Sequence, residues 1–485
     1  MASADASLLL RPATELAALV RAGDVSAVEL TRLALDRIAA LDGDVGAFVD
    51  RWAEDALAAA AAVGPGDPRP FAGVPTAMKN NRAVAGRRVT YGGSIADRVA
   101  TEDHAVTRRV RDAGFVLLGA TNLPEFSITP VTRGRRFGAA RNPWDLGRAA
   151  GGSSGGAAAA VAAGMLPIAH GNDGGGSIRI PAAACGLVGL KPSRGRVTLA
   201  PDLGWHLLVA DGMLTRTVGD AAAALDVLAG PEVGDLAPLP LPERPFADAA
   251  ARGAAGDVRR LRVGLTLDPP FGHAASAADA DAARRTALAL ADLGHDVEEV
   301  SAPWVIPGLL DLFEIAFGAG IAAGVRAAGR ARGRDVEAHE VETLTWAIYR
   351  RASALSGVEY VAGDVEIQHV ARTVLVWADR FDVLVTPTLA TAPPAIDALD
   401  PDGPEPMVGF ADGAVFSPYA AICNITGQPA ITLPLGVRPA GDEAAGMPVG
   451  THLIGRPGGE ASLLAVAAQL EAAAGPAPVA PMARG

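Results

Sequence analysis

Two glycine clusters each carry a serine, Gly151-Gly-Ser153-Ser-Gly-Gly156 and Gly174-Gly-Gly-Ser177, and an alanine-rich run that reads as a helix lies between them. Glycine permits the close backbone approach and the left-handed dihedrals found at reacting sites. Two hydroxyls so placed point to acyl transfer, with one serine attacking and the other passing a proton. The lysines sharpen this reading. Among 42 lysines and arginines, only Lys79 and Lys191 are lysines. A guanidinium stays charged in any protein environment, whereas a buried amine can lose its proton and act as a base. Lys79 ends the run Gly73-Val-Pro-Thr-Ala-Met-Lys79, which reads as a strand entering a cleft, and is the candidate base. Lys191 ends another apolar run, before Pro192, and reads as a structural amine.

Hydrolysis of an amide needs a nucleophile, a base for its proton, donors for the oxyanion and an acid for the departing amine. Ser177 can attack, and the backbone N–H groups of Gly174, Gly175, Gly176 and Ser177 can face a developing oxyanion. A neutral Lys79 can draw the proton away through a second hydroxyl and later return it. Residue chemistry alone does not separate Ser153 from Ser154 for that relay. Asp173 and Arg179 lie close enough in sequence to brace the nucleophile loop as an ion pair. The Gly151-x-Ser153-x-Gly155 spacing also fits the nucleophile elbow of an α/β-hydrolase-type esterase. However, Arg141 to Arg148 before it is no apolar strand, and no motif ties any of the eight histidines to Ser153. A phosphate cradle would need GxxxxGK[ST] or a strand-led GxGxxG, and neither is present.

Taken together, Gly151 to Gly156, Gly174-Gly-Gly-Ser177-Ile-Arg-Ile-Pro181 and Cys185-Gly-Leu-Val-Gly-Leu-Lys-Pro192 closely resemble the amidase signature family. Gly73-Val-Pro75 leading to Lys79, Thr121-Asn-Leu-Pro-Glu-Phe126, Thr386-Pro387, Asn424 to Pro429 and Val449 to Pro457 are similar to that family's other landmarks, so the resemblance spans nearly the whole chain. It implies a Ser–cis-Ser–Lys triad of Ser177 as nucleophile, Ser153 as relay and Lys79 as base. It also implies a cis peptide bond entering Ser153 and an oxyanion hole from Gly174 to Ser177. Asn172 stands where that family commonly has threonine or serine. The implied fold is α/β, a single large domain with a central mixed, twisted β-sheet covered by helices on both faces. The implied activity is hydrolysis of a small-molecule carboxylic amide, linear or cyclic, with esters and carbamates chemically open and no cofactor or metal. Thr121, Asn122, Phe126 and Ser154 are candidate pocket residues. One family subtype works as the glutamine-hydrolysing subunit of a tRNA-dependent amidotransferase; no glutamine-recognition motif is evident here, and a stand-alone amidase is preferred.

Composition agrees with such an enzyme. The 485 residues are 50% hydrophobic and 20% charged, enough to bury a large core. A net charge of −12 argues against a nucleic-acid surface, which needs a basic stripe. Cys185 and Cys423 form no disulfide framework or metal-ligand pattern. No basic region precedes the short apolar patch at the N-terminus, and Ala157 to Ala169 is too short to span a bilayer. A cytoplasmic protein with no membrane partner is therefore expected, and a homodimer is compatible with it.

Several elements must position these groups. Ser26-Ala-Val-Glu29 reads as a capping box opening a helix, and residues 1–70 read as a helical region packed on the core. Residues 71–485 read as the α/β domain, with strands expected at Gly73–Met78, Phe115–Leu118, Leu261–Leu265, Val297–Val300, Phe381–Val385, Ala430–Leu435 and Val449–Ile454. Pro238, Pro240, Pro242 and Pro245 mark a surface excursion near 237–257. The aromatic-bearing helical stretch near 304–378, with the segment Phe126 to Phe137, is expected to build the substrate pocket. The apolar helices there and Thr132-Arg-Gly-Arg-Arg136 suggest a bulky, mostly uncharged substrate.

Overall fold

The computed structural model describes residues 6–202 and 208–484. Two sheets position the site. The smaller one contains β1 (Phe48–Arg51), β2 (Pro75–Lys79) and β3 (Val116–Thr121) in the order β1-β3-β2, with β3 antiparallel to β1 and parallel to β2. The larger has eight strands: β4 (Ala169–Asp173), β5 (Val188–Lys191), β6 (Ala210–Thr215), β7 (Arg262–Leu265), β8 (Asp296–Glu299), β9 (Val383–Pro387), β10 (Ala430–Val437) and β11 (Pro448–Gly455). Their order is β4-β6-β5-β10-β11-β9-β7-β8, antiparallel from β4 to β9 and parallel from β9 to β8. The result is the expected single α/β domain with a mixed sheet flanked by helices.

Strands β2, β5 and β9 are buried at every residue, which is why they read as largely apolar runs without alternation, whereas β4 is buried throughout although its sequence, Ala-His-Gly-Asn-Asp, is mostly polar. Side chains join the two sheets: Thr76 Oγ1 on β2 donates to the Ile168 carbonyl at 3.0 Å, and the Lys79 N–H donates to His170 Nδ1 on β4 at 3.3 Å. The C-terminal ends of β2 and β4 thereby meet, bringing Lys79 beside Asn172.

Helix α1 (Ala27–Val45) opens with the expected capping box between Ser26 and Glu29. Helix α2 (Gly155–Ala162) follows the first serine cluster and is buried all round, with only glycine, alanine and one valine. Its glycines are steric necessities: a Cβ on Gly155 would overlap the Thr132 hydroxyl, and one on Gly156 would overlap the backbone of Asn122 and Ala47. Helix α3 (Arg179–Cys185) follows the second cluster and packs on the large sheet.

Two expectations need correction. The opening 70 residues are not wholly helical, because β1 lies among them as an edge strand of the small sheet. The proline-rich excursion is only partly one: α4 (Phe246–Ala254) occupies its second half and packs closely on α9 (Glu460–Ala474), burying Phe246, Ala249, Ala250 and Gly253. Its start is capped from outside, since Asp226 accepts the N–H groups of Phe246 and Ala247 at 2.6 and 2.9 Å. A second hydrophobic cluster is built on α5 (Leu309–Ala331), α6 (Thr343–Ala354) and α7 (Gly357–Ala378), with α8 (Pro406–Phe416) beside it. Trp304 meets Trp377 edge to face in that core, with ring centres 5.7 Å apart.

Gly253 faces the Ala465 backbone so closely that a Cβ would overlap it. Gly253→Ala is expected to lower stability by about 1–3 kcal/mol through overpacking, read as a fall in Tm, whereas Gly357→Ala, with open space around it, stays within about 0.5 kcal/mol of the parent. Equal Tm values for the two variants would show that α4 does not press on α9.

Candidate active site

The ends of β2 and β4 and the starts of α2 and α3 converge on one cluster. Lys79, the last residue of β2, is fully buried. Its Nζ lies 2.7 Å from Ser153 Oγ and donates to Asn172 Oδ1 at 2.7 Å. Among the described residues, no carboxylate touches it. Burial, and next the nearby Arg82 charge, push the amine's pKa well below the ordinary lysine value, while Asp211 and Asp173 pull the other way. Asn172 is itself held by Asn81, with reciprocal amide contacts of 2.9 and 3.3 Å.

The Arg82 charge is spent elsewhere. Its guanidinium makes a two-pronged bond to Asp211, 2.9 Å on each arm, and a further contact to Asp202. Burial alone would raise the Asp211 carboxyl, but Arg82 and His170 hold it well below the usual carboxylate range. His170 accepts the Lys79 N–H at Nδ1, so its proton sits on Nε2 and points to Asp211 Oδ1 at 3.0 Å. Burial, more than any other influence, lowers that imidazole's pKa below the ordinary histidine value, while Asp211 pulls the other way.

The two serines of the first cluster separate clearly. The Gly152–Ser153 peptide bond is cis, and the Ser153 hydroxyl faces Lys79. Ser154 turns the other way: its hydroxyl donates to the Asn172 carbonyl at 3.2 Å, and its N–H donates to the Ser177 carbonyl at 3.2 Å, tying the two serine loops together. No histidine hydrogen-bonds Ser153 or Ser177 among the described residues, which leaves the nucleophile-elbow reading without its base.

The loop bearing Ser177 is shaped by a buried ion pair between Asp173 and Arg179. All five N–H donors of Arg179 find acceptors: both Asp173 oxygens at 2.9 Å, the Ala420 carbonyl at 2.7 Å, Asn424 Oδ1 at 2.8 Å and His452 Nε2 at 3.1 Å. Burial alone would raise the Asp173 carboxyl, yet Arg179 holds it far below the usual range. Asp173 Oδ1 also takes the Gly176 N–H at 2.7 Å, and Oδ2 takes that of Ile178 at 3.2 Å. Of the four amides expected to form an oxyanion hole, that of Gly176 already has its acceptor. Among the described residues, the N–H groups of Gly174, Gly175 and Ser177 have no acceptor. Gly176 keeps a positive φ of 125°, and a Cβ there would press on Ala420 and Ile180.

Ser177 is half-buried and opens to two cavities. The larger, about 770 Å³, also takes in Ser153, Asn172, Asn81, Tyr91, Phe126 and the small-residue face of α5. The smaller, about 70 Å³, is lined mainly by apolar and aromatic side chains, with the hydroxyl residues Ser127, Thr129 and Ser417 among them. Of the expected pocket residues, Phe126 lines the large cavity; Thr121, Asn122 and Ser154 line neither. Thr121 closes β3 beside Lys79, and Asn122 bonds the Ala47 and Gly46 backbone, so both act behind the site. The arginine run is likewise turned outward, Arg133 to Asp400, Arg135 to Asp402 and Arg136 to Asp97. Lys191 lies away from the cavities, donating to the Pro192 carbonyl at 2.8 Å, with its amine pushed down to about 8 by burial. The residues missed from sequence are Asn81, Arg82, His170 and Asp211. Asn172 was singled out only as a departure in the loop.

Among the described residues no helix is long and apolar enough to cross a membrane, and no group of three or more His, Cys, Asp or Glu is placed to hold a metal. The amidase family model matches residues 29–464. A 6-aminohexanoate-cyclic-dimer hydrolase of Paenarthrobacter ureafaciens is 36% identical, over 96% of this chain and 95% of the relative. The solved structure of a 6-aminohexanoate cyclic dimer hydrolase complexed with substrate superposes with a TM-score of 0.86 at 34% identity, covering 96% of this chain and 97% of that one. A bacterial aryl acylamidase of the amidase signature family superposes with a TM-score of 0.84 at 29% identity, covering 96% of each chain. A fold shared at these levels across nearly the whole chain, with the family model spanning both serine clusters and the buried lysine, makes this chain a member of the amidase signature family of amide hydrolases.

Proposed function

We propose that this amide hydrolase works through a seryl acyl-enzyme, with Ser177 as nucleophile, Ser153 as relay and Lys79 as base. The observation that carries the proposal is the buried Lys79 amine, 2.7 Å from Ser153 Oγ and without a carboxylate partner. A neutral amine has two N–H bonds and one lone pair. Asn172 Oδ1 can only accept, so it engages one N–H and leaves the lone pair free to face the Ser153 hydroxyl.

The proton of Ser177 passes to Ser153 Oγ as the Ser153 proton passes to Lys79 Nζ. Ser177 Oγ then bonds to the amide carbon, and the carbonyl electrons move to oxygen. The free N–H groups of Gly174, Gly175 and Ser177 supply donors for that oxyanion; loss of one such donor typically costs about 10²–10³ in rate. Collapse breaks the C–N bond, and the departing nitrogen takes a proton from Ser153, which Lys79 restores. Water attacks the acyl ester by the same relay, and Ser177 recovers its proton as the acid leaves. The names of the relatives support both cyclic and linear amides as substrates. A small-molecule amide is the substrate class this reading takes for the chain.

A fluorophosphonate probe followed by peptide mapping is expected to place one adduct on Ser177 and none on the Ser177→Ala variant. Ser177→Ala and Lys79→Arg are both expected to lose amide turnover, the second because a guanidinium cannot give up its proton; a Lys79→Arg enzyme that still turns over would refute the neutral-base step. Activity should rise with pH as Lys79 deprotonates, with the midpoint well below the ordinary lysine value because the folded-state pKa is lowered. Asn172→Asp places a carboxylate on the amine, favours its charged form and moves that rising limb to higher pH; an unshifted profile would remove Asn172 from the control of Lys79.

A further inference from the structure

The two cavities at Ser177 are not equivalent, and the relay distinguishes them. In the amidase cycle, on which this inference rests, the departing nitrogen must take its proton from Ser153. Ser153 opens only to the cavity of about 770 Å³, whereas the cavity of about 70 Å³ reaches Ser177 and Gly175 but not Ser153. A substrate whose nitrogen faces Ser153 therefore lays its amine half in the large cavity. Its acyl half, on the opposite side of the reacting carbon, enters the small one. We infer that this enzyme selects amides of short, apolar carboxylic acids and accepts its substrate's bulk in the amine half.

The small cavity has room for about five to seven heavy atoms, at roughly 10–15 Å³ each. Ile128, Phe271, Phe313, Phe317 and Phe410 line it, and no charged residue does, so a charged acyl group would lose its hydration there without a partner. Phe313 sets the limit. It is stacked on Phe317, ring centres 5.3 Å apart, and meets Phe271 edge to face at 5.9 Å. Its ring tip stands 3.1 Å from where a Gly175 Cβ would be, directly beside the nucleophile loop. Three interlocked rings give a wall that a longer chain must displace at the cost of their mutual contacts. The large cavity differs in its size and in the small residues that α5 brings to it. Along it α5 presents Gly320, Ala323, Gly324, Ala327 and Ala331 together with the Phe317 ring, and Tyr91 and Phe126 complete the wall around a volume about tenfold larger.

The test is a series of anilides with one aromatic amine and unbranched acyl groups from acetyl to decanoyl, with kcat/KM measured for the wild type and Phe313→Ala. The wild type is expected to peak between acetyl and pentanoyl and to fall by roughly tenfold or more at octanoyl. Phe313→Ala is expected to move the peak to longer chains, and Ala414→Leu, which narrows the same pocket, to confine it to acetyl. A second series holding the acetyl group fixed and enlarging the amine should show no such fall. A wild-type kcat/KM that climbs with acyl length, or a peak that neither variant moves, overturns the assignment while leaving the amidase reading intact. If no compound gives Ser177-dependent release, the amidase reading falls and the inference falls with it.

Discussion

A primary amine kept out of water without a counter-ion is the condition on which the site depends. Desolvation favours the neutral form of lysine, and a carboxylate in contact would restore the charge. The fold therefore has to surround Lys79 with polar atoms that are not anions, and it does so with the hydroxyl of Ser153 and the amide oxygen of Asn172. The nearest charges are already paired: Arg82 with Asp211 on one side, Asp173 with Arg179 on the other. Each pair is nearly self-neutralising, so neither presents Lys79 with an anion free to hold its proton.

The same two ion pairs do mechanical service. Arg82, Asp211 and His170 fix the backbone at the end of β2 through the Lys79 N–H, while Asp173 and Arg179 fold the glycine loop that aims Ser177. Removing one member of such a buried pair leaves an uncompensated charge, a cost of about 3–5 kcal/mol. Asn424 shares both partners of the second pair and reaches the Leu208 carbonyl as well, so the loop is fastened to the C-terminal part of the chain. A landmark noted in sequence only for its resemblance thus has a physical task.

Much of this was legible in the chain. Two lysines among so many arginines marked the two buried amines, paired glycines marked the places where backbones meet too closely for a side chain, and buried apolar runs marked several of the strands. What stayed hidden depends on contacts across long sequence separations. Lys79 and Asn172 are 93 positions apart, and nothing local in either segment encodes their bond. The helix over Phe246–Ala254 was obscured because its cap comes from Asp226 rather than from a residue before it. Thr121 and Asn122 sit beside the site in sequence but spend their polar groups on the layer behind it. The Gly176 amide belonged to the glycine run by composition, and only the position of Asp173 shows that its donor is already used.

In the proposed relay, the need for a second serine follows from the conflict between base and substrate. A lysine touching the scissile bond would share the half-open environment of Ser177, where water stabilises the ammonium and returns its pKa toward the ordinary value. A lysine buried deeply enough to stay neutral cannot reach a nucleophile that must also meet solvent-borne substrate. Ser153 meets both demands, fully buried against the Lys79 amine yet part of the wall of the large cavity that Ser177 also lines. Its hydroxyl can donate and accept in the same step, so a proton crosses from the wet side to the dry side without either end moving. In that relay the dryness that would make Lys79 a base and the openness that admits a substrate are served by one hydroxyl.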